Sequence, residues 1–210
     1  MADFRYVTKE ETREVKGELL SLIHDVQYCV RDYFTFQYSF IGSSARNMIT
    51  YDMDSNIGYD FDVNIEVNDP NEDYTAEQIR SIIFDALQRI SPTYGYQKIE
   101  NSTSVITIKM VDYWNSRICH SCDFAIVNNC NDGQQQYIRL NKESNVYQWV
   151  YRGKGYKGLF QKIEWIKTNG LWGKVREIYL YKKDNNDNPD KHSRSIFAET
   201  INEVFLRYSK

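Results

Sequence analysis

A chain of 210 residues with 26 Lys and Arg against 29 Asp and Glu is long enough to bury about 70% of its unfolded surface without disulfide staples. The net charge of −3 is unlike the basic balance of a protein that tracks long nucleic acid. The N-terminal MADFRYVTKEE has no apolar signal stretch, and no membrane-length apolar run follows, so a cytoplasmic protein with its four cysteines reduced is expected.

Thr8 and Glu11 have the spacing of a capping box, and Val15, Leu19, Leu22, Ile23, Val26, Val30 and Tyr33 share one face. This predicts a helix ending near Asp32. Residues 36–41 read as a strand running into a Gly42-Ser43-Ser44 turn. Beyond it, Tyr59, Phe61, Val63, Ile65 and Val67 alternate strictly with Asp60, Asp62, Asn64 and Glu66, the pattern of a half-buried strand. Thr75 and Gln78 cap a second helix whose stripe is Ile79, Ile82, Ile83, Ala86, Leu87 and Ile90, stopped by Pro92. Strands are expected over 97–100, 105–111, 118–127 and 137–140, and helices over 157–168, 171–182 and 195–208; 128–134 and 184–191 read as exposed loops. The fold class is α+β, with a mixed sheet, a long N-terminal helix and a C-terminal helical lobe. With only 3 prolines and no flexible linker, residues 1–150 are expected to form the core and 151–210 a lobe packed on it.

Asp60 and Asp62, side by side on the polar face of one strand, repel each other unless a cation lies between them. Mg²⁺ takes oxygen ligands and keeps substrate phosphates in its shell, and a Gly/Ser turn nearby lets backbone N–H groups approach those phosphates. A merely solvated strand face would show the same pair, so a third acid matters. In Cys119-His120-Ser121-Cys122-Asp123-Phe124, Asp123 points opposite to Cys122 and Phe124, and this strand follows that at 105–111 into what is expected to be the same sheet. Three such carboxylates would hold two metals about 3.5–4 Å apart for in-line phosphoryl displacement.

Together, Gly42-Ser43, Asp60-Phe61-Asp62 and Asp123 resemble the signature of the polymerase-β-like nucleotidyltransferases. YDFDVNIEV, with its distance to Asp123, looks most like the branch holding cyclic GMP–AMP synthase, oligoadenylate synthase and their bacterial relatives. GLFQKIEWIKTNGLW is similar to that branch's lysine-bearing helix with a following Trp, and SRSIFAETINEVF resembles its late helix with an internal Glu. The resemblance spans about 36–206 and implies a nucleotidyltransferase palm and a second messenger of the kind used in antiviral defence. The gap from Ser43 to Asp60 is several residues longer than usual, implying an inserted loop and leaving open whether Ser43 or Ser44 touches phosphate.

On a helical wheel Lys167 falls among Leu159, Phe160, Ile163 and Ile166, with Lys162 at the edge of that arc. It either snorkels to water or borders the cleft and reaches the β- and γ-phosphates; the resemblance implies the latter. Arg46 is a second phosphate candidate. Among 17 tyrosines, Tyr147, Tyr151 and Tyr156 are candidates for stacking on the base. His24, His120 and His192 show no ligand spacing, and Cys119-x-x-Cys122 lacks the second pair of a zinc site. Residues 51–74 hold eight acids and no Lys or Arg, whereas 152–183 hold nine Lys and Arg against two Glu. That suits metals on one lobe and a grip on polyphosphate from the other, and leaves room for a short RNA or DNA or a protein activator on the basic lobe.

The expected reaction is transfer of NMP from an NTP to a hydroxyl with release of pyrophosphate. Asp60, Asp62 and Asp123 would hold two Mg²⁺ or Mn²⁺ ions, with Asp123 near the attacking hydroxyl; Gly42, Ser43, Ser44, Arg46 and Lys167 would bind nucleotide. No Walker loop is present, which argues against γ-phosphoryl transfer. A cyclic or linear oligonucleotide messenger is the leading product. The alternatives are modification of a tRNA, a protein or an antibiotic, and a catalytically silent nucleotide- or RNA-binding module.

Overall fold

The computed structural model describes residues 3–153, 155–188 and 190–209. Its elements run β1 (Phe4–Tyr6), α1 (Lys9–Val30), β2 (Thr35–Ile41), α2 (Gly42–Ala45), β3 (Thr50–Asp52), β4 (Tyr59–Asn68) and α3 (Ala76–Ile90). A 3-10 turn over Ser91–Tyr94 leads to β5 (Lys98–Asn101), β6 (Ile106–Asp112), β7 (Arg117–Asn129), β8 (Gln135–Asn141) and β9 (Val146–Tyr151). Three helices follow: α4 (Leu159–Thr168), α5 (Trp172–Asp184) and α6 (Ser193–Tyr208). The chain divides into two compact units, Tyr6–Tyr51 with Ser55–Arg152, and Met1–Arg5 with Asp52–Asp54 and Gly153–Lys210.

The first unit is built on a seven-stranded sheet of order β2-β4-β7-β6-β5, with β8 on β7 and β9 on β8. β4 and β7 pair in parallel, and the other paired neighbours are antiparallel. Strict alternation sends Phe61, Val63 and Ile65 of β4 and Cys122, Phe124 and Ile126 of β7 into one core, with Leu19, Leu22, Ile23 and Val26 of α1 and Ile79, Ile83 and Leu87 of α3. Both helices start where the capping residues put them. Thr8 Oγ1 accepts from the Glu11 N–H at 3.2 Å while Glu11 accepts from the Thr8 N–H at 2.7 Å, and Thr75 and Gln78 repeat the device. Tyr33 falls beyond α1 and is exposed, because the helix stops at Val30.

β1, β3 and β9 lie outside the expected strands. β1 and β3 are three residues each, too short for a period to declare itself. β9 forms an antiparallel hairpin with β8, Ile138 opposite Trp149. Tyr147 on β9 packs over the guanidinium of Arg80, 4.5 Å from ring to carbon. Arg80 is only 1% exposed; it donates to Asn101 Oδ1, to the Ser102 carbonyl at 2.7 Å and to the Val105 carbonyl at 2.8 Å. These bonds fix the turn that launches β6.

In the helical unit, α6 packs against both α4 and α5. Ile166, Val175, Tyr179, Ile196, Phe197, Ile201 and Val204 are buried, and Trp165 meets Phe205 edge to face at 5.2 Å. The expected buried arc of α4 is narrower than the wheel suggested. Phe160 is 71% exposed, because the buried stripe of α4 contracts to Ile166, flanked by Trp165 against α6. Among the described residues no helix is long and apolar enough to cross a membrane.

Candidate active site

The site begins where β2 ends. Gly42 has φ +63°, and a Cβ there would run into Oδ2 of Asp62 and stand 3.1 Å from its Cγ. Glycine is required twice over, for the left-handed backbone and for the close approach to the carboxylate. The next residues form the single turn of α2. Ser44 is buried, and its Oγ donates to the Ile41 carbonyl at 2.7 Å, so its proton is committed to the strand end. Ser43 is half-buried. The Arg46 guanidinium acts on Asp62 by charge, favouring its ionised form.

The register of four strands sets side chains in two rows on one face of the sheet. Asp62 of β4 stands beside Asp123 of β7, Asp123 beside Thr107 of β6, and Thr107 beside Glu100 of β5. In the adjacent row Asp60, Ser121, Lys109 and Lys98 follow the same path. Thr107 Oγ1 donates to Asp123 Oδ1 at 2.6 Å, and Ser121 Oγ donates to Asp60 Oδ1. Lys109 and Lys98 both bind Glu100, at 2.8 and 3.0 Å, and hold its carboxyl below the usual range. Ser121, Thr107 and Lys109 were missed in the sequence, although each lies two residues from another polar position on its strand.

The three carboxylates differ. Asp60 is exposed. Asp62, expected to face solvent, is largely covered: burial, followed by the charges of Asp123 and Asp60, pushes its carboxyl up to about 6 against the pull of Arg46. Burial also raises the Asp123 carboxyl, opposed by the bond from Thr107. On the other face, His120 is pushed down to about 4 by burial, lies 3.1 Å from the Tyr96 hydroxyl, and is neutral at pH 7. Cys119 and Cys122 are free thiols.

Among the described residues no three His, Cys, Asp or Glu side chains stand in a geometry that would hold an ion. The donor chemistry of Asp60, Asp62 and Asp123 nevertheless fits a hard divalent cation. All are oxygen donors, two are desolvated, and their charges oppose one another, a repulsion that a cation relieves.

The remaining candidates belong to the helical unit or to β9. Lys167 is not on a buried stripe: its side chain is 54% exposed and pairs with Glu164 at 3.6 Å, with its ammonium 5.7 Å from the centre of the Trp172 ring. A cavity of about 270 Å³ is lined by Tyr156, Lys157, Leu159, Lys162, Ala198 and neighbouring residues of α6. In it Tyr156 donates to Ser195 Oγ at 3.0 Å and Lys162 binds Asn202. Tyr147 packs on Arg80, and its hydroxyl donates to the Ser102 carbonyl. Tyr151 is exposed at the end of β9.

No family model matches the chain, and no curated protein does. Solved structures do. The STING-associated CdnE c-di-GMP synthase of Capnocytophaga granulosa superposes with a TM-score of 0.63 at 17% identity, over 97% of this chain and 64% of that one. The Vibrio cholerae DncV cyclic AMP-GMP synthase, a prokaryotic cGAS homolog, gives 0.64 at 11% identity, over 93% and 67%. DncV bound to 3′-deoxy ATP gives 0.58 at 14% identity, over 94% and 52%.

The chain has the nucleotidyltransferase fold of the cyclic-dinucleotide synthases.

At these identities it is the synthase fold that is shared. The chain spans between about half and two thirds of the length of the synthases it matches. The mixed sheet, the long N-terminal helix and the C-terminal helices are the parts of the synthase fold expected from the sequence.

Proposed function

We propose that this protein is a metal-dependent nucleotidyltransferase, transferring NMP from an NTP to a hydroxyl to make a nucleotide second messenger. The observation that carries this reading is the cluster of Asp60 and Asp62 on β4 with Asp123 on the adjacent parallel β7, with Gly42 packed against Asp62, in the synthase fold. Asp60, Asp62 and Asp123 would hold two Mg²⁺ or Mn²⁺ ions. Such ions neutralise phosphate charge and acidify the attacking hydroxyl.

The chain's own groups do the rest. The absence of a Cβ at Gly42 lets the α2 turn close onto Asp62, and Ser43 and Arg46 of that turn bind the triphosphate oxygens. Ser44, whose proton goes to the Ile41 carbonyl, shapes the turn instead. Lys167, exposed on the helical unit, is the further lysine that the resemblance implies for the β- and γ-phosphates. Asp123, its carboxyl made more basic by burial, accepts the acceptor hydroxyl's proton. That oxygen bonds to the α-phosphorus as the bond to the β-phosphate oxygen breaks, and pyrophosphate leaves with the electron pair.

The test is direct. Purified protein is incubated with labelled NTPs and Mg²⁺ or Mn²⁺, first alone and then with added RNA or protein. Oligonucleotide products that vanish in Asp60→Ala support the messenger reading. Label on the macromolecule would replace it with a modifying transferase, and no product under any condition would refute transfer altogether.

A further inference from the structure

The carboxylate cluster is held by two hydroxyls that no motif announced. Ser121 is buried on β7 in register with Asp60; Thr107 sits on β6 in register with Asp123. A hydroxyl carries one proton, and each spends it on Oδ1 of the neighbouring carboxylate. This leaves the second oxygen of each outside the bond. No hydroxyl is so paired with Asp62 among the described residues; its close neighbours are Gly42 and the charge of Arg46. The outer two carboxylates are thus fixed in rotamer by neutral donors from the next strand. Thr107 is fixed in turn, since the turn before β6 is tied down by Arg80.

We propose that Ser121 and Thr107 are positioning residues: they orient Asp60 and Asp123 so that one oxygen of each is presented to a divalent cation. The proposal rests on the nucleotidyltransferase reading above. A bond to the outer shell of a ligand fixes its orientation, and its loss typically costs about 10–100-fold in metal affinity or activity. A bond that only stabilised the sheet would change the melt and leave metal affinity alone.

The probe is Mn²⁺ itself, titrated by electron paramagnetic resonance into wild type, Ser121→Ala, Thr107→Val, Ser121→Thr and Thr107→Ser. Thermal melts and NTP turnover, with kcat and KM separated, accompany each titration. Ser121→Ala and Thr107→Val should each weaken Mn²⁺ binding about tenfold and lower kcat about as much, with little movement in the NTP KM. Ser121→Thr and Thr107→Ser keep the hydroxyl and should stay within about threefold of wild type. Wild-type Mn²⁺ affinity in Ser121→Ala overturns the role of Ser121. A loss in Thr107→Ser equal to that in Thr107→Val assigns Thr107 to packing by its methyl and overturns its role. If Ser121→Ala does not fold, Ser121→Cys, with a weak donor of similar size, must show the same loss with a cooperative melt, and wild-type affinity there overturns the proposal. Failure of wild type to transfer nucleotide would remove the function reading, while the Mn²⁺ titration would still decide both positioning roles.

Discussion

Asp62 of β4 lies directly opposite Asp123 of β7, across the one parallel strand pair of the sheet. Parallel neighbours set like side chains level, so two acids share one row, and both are raised above the ordinary carboxylate range, chiefly by burial. Two ionised carboxylates so placed destabilise the fold. Relief comes from a proton or a cation.

The first prediction concerns pH without added metal. Asp62 moves from 3.8 to about 6 on folding, so between those values the folded state binds more protons than the unfolded state. Its contribution to stability is therefore lost as pH rises from about 4 to 6, by on the order of 3 kcal/mol. Asp62→Asn should melt higher than wild type above pH 6, and the two should converge near pH 4. Melts that stay parallel across this range would be inconsistent with the buried charge.

Cation binding reverses that sign. At pH 7.5, millimolar Mn²⁺ should raise the wild-type Tm by a few degrees, as expected for a ligand that binds only the folded state. Asp60→Ala and Asp62→Asn should respond much less and lose turnover. An equal shift in all three proteins would place the ion elsewhere.

Asp123→Asn separates binding from chemistry. The amide still accepts the Thr107 hydroxyl bond but cannot take the acceptor's proton. Product formation should fall by about 10²–10⁴-fold while NTP affinity largely survives. Loss of NTP affinity with turnover retained would show that the roles of Asp123 and the Asp60–Asp62 pair are exchanged.

Gly42→Ala tests the close approach. The new Cβ meets Asp62 on a backbone with φ +63°, so about 1–3 kcal/mol of stability should be lost. Mn²⁺ affinity should drop in the same variant because Asp62 must move. A fully stable variant with wild-type Mn²⁺ binding would show that the turn yields instead.

Lys167→Ala should leave the melt within about 0.5 kcal/mol of wild type, since its ion pair with Glu164 is exposed. If Lys167 grips the leaving pyrophosphate, NTP affinity should fall about tenfold or more, and NMP affinity should not. Equal weakening toward both ligands in paired titrations would remove it from the phosphate site, and Lys162 or Arg46 would be tried next.

Elements governed by neighbours in the chain were legible in the sequence alone. Thr8 with Glu11 and Thr75 with Gln78 announce their helices because a capping box is closed within three residues. The alternation of β4 places Asp60 and Asp62 opposite Phe61 and Val63 because a strand has a period of two. What required long-range pairing was decided only in three dimensions. The register that joins Asp62 to Asp123, Asp60 to Ser121 and Asp123 to Thr107 depends on which strands become neighbours, and local periodicity carries no such information. Desolvation of Asp62 follows from what covers it, so of the pair expected in solvent only Asp60 stays exposed. The wheel of α4 erred at Phe160 and Lys167 for the same reason: a helix buries only the face its neighbours reach, and here the buried stripe closes on Ile166.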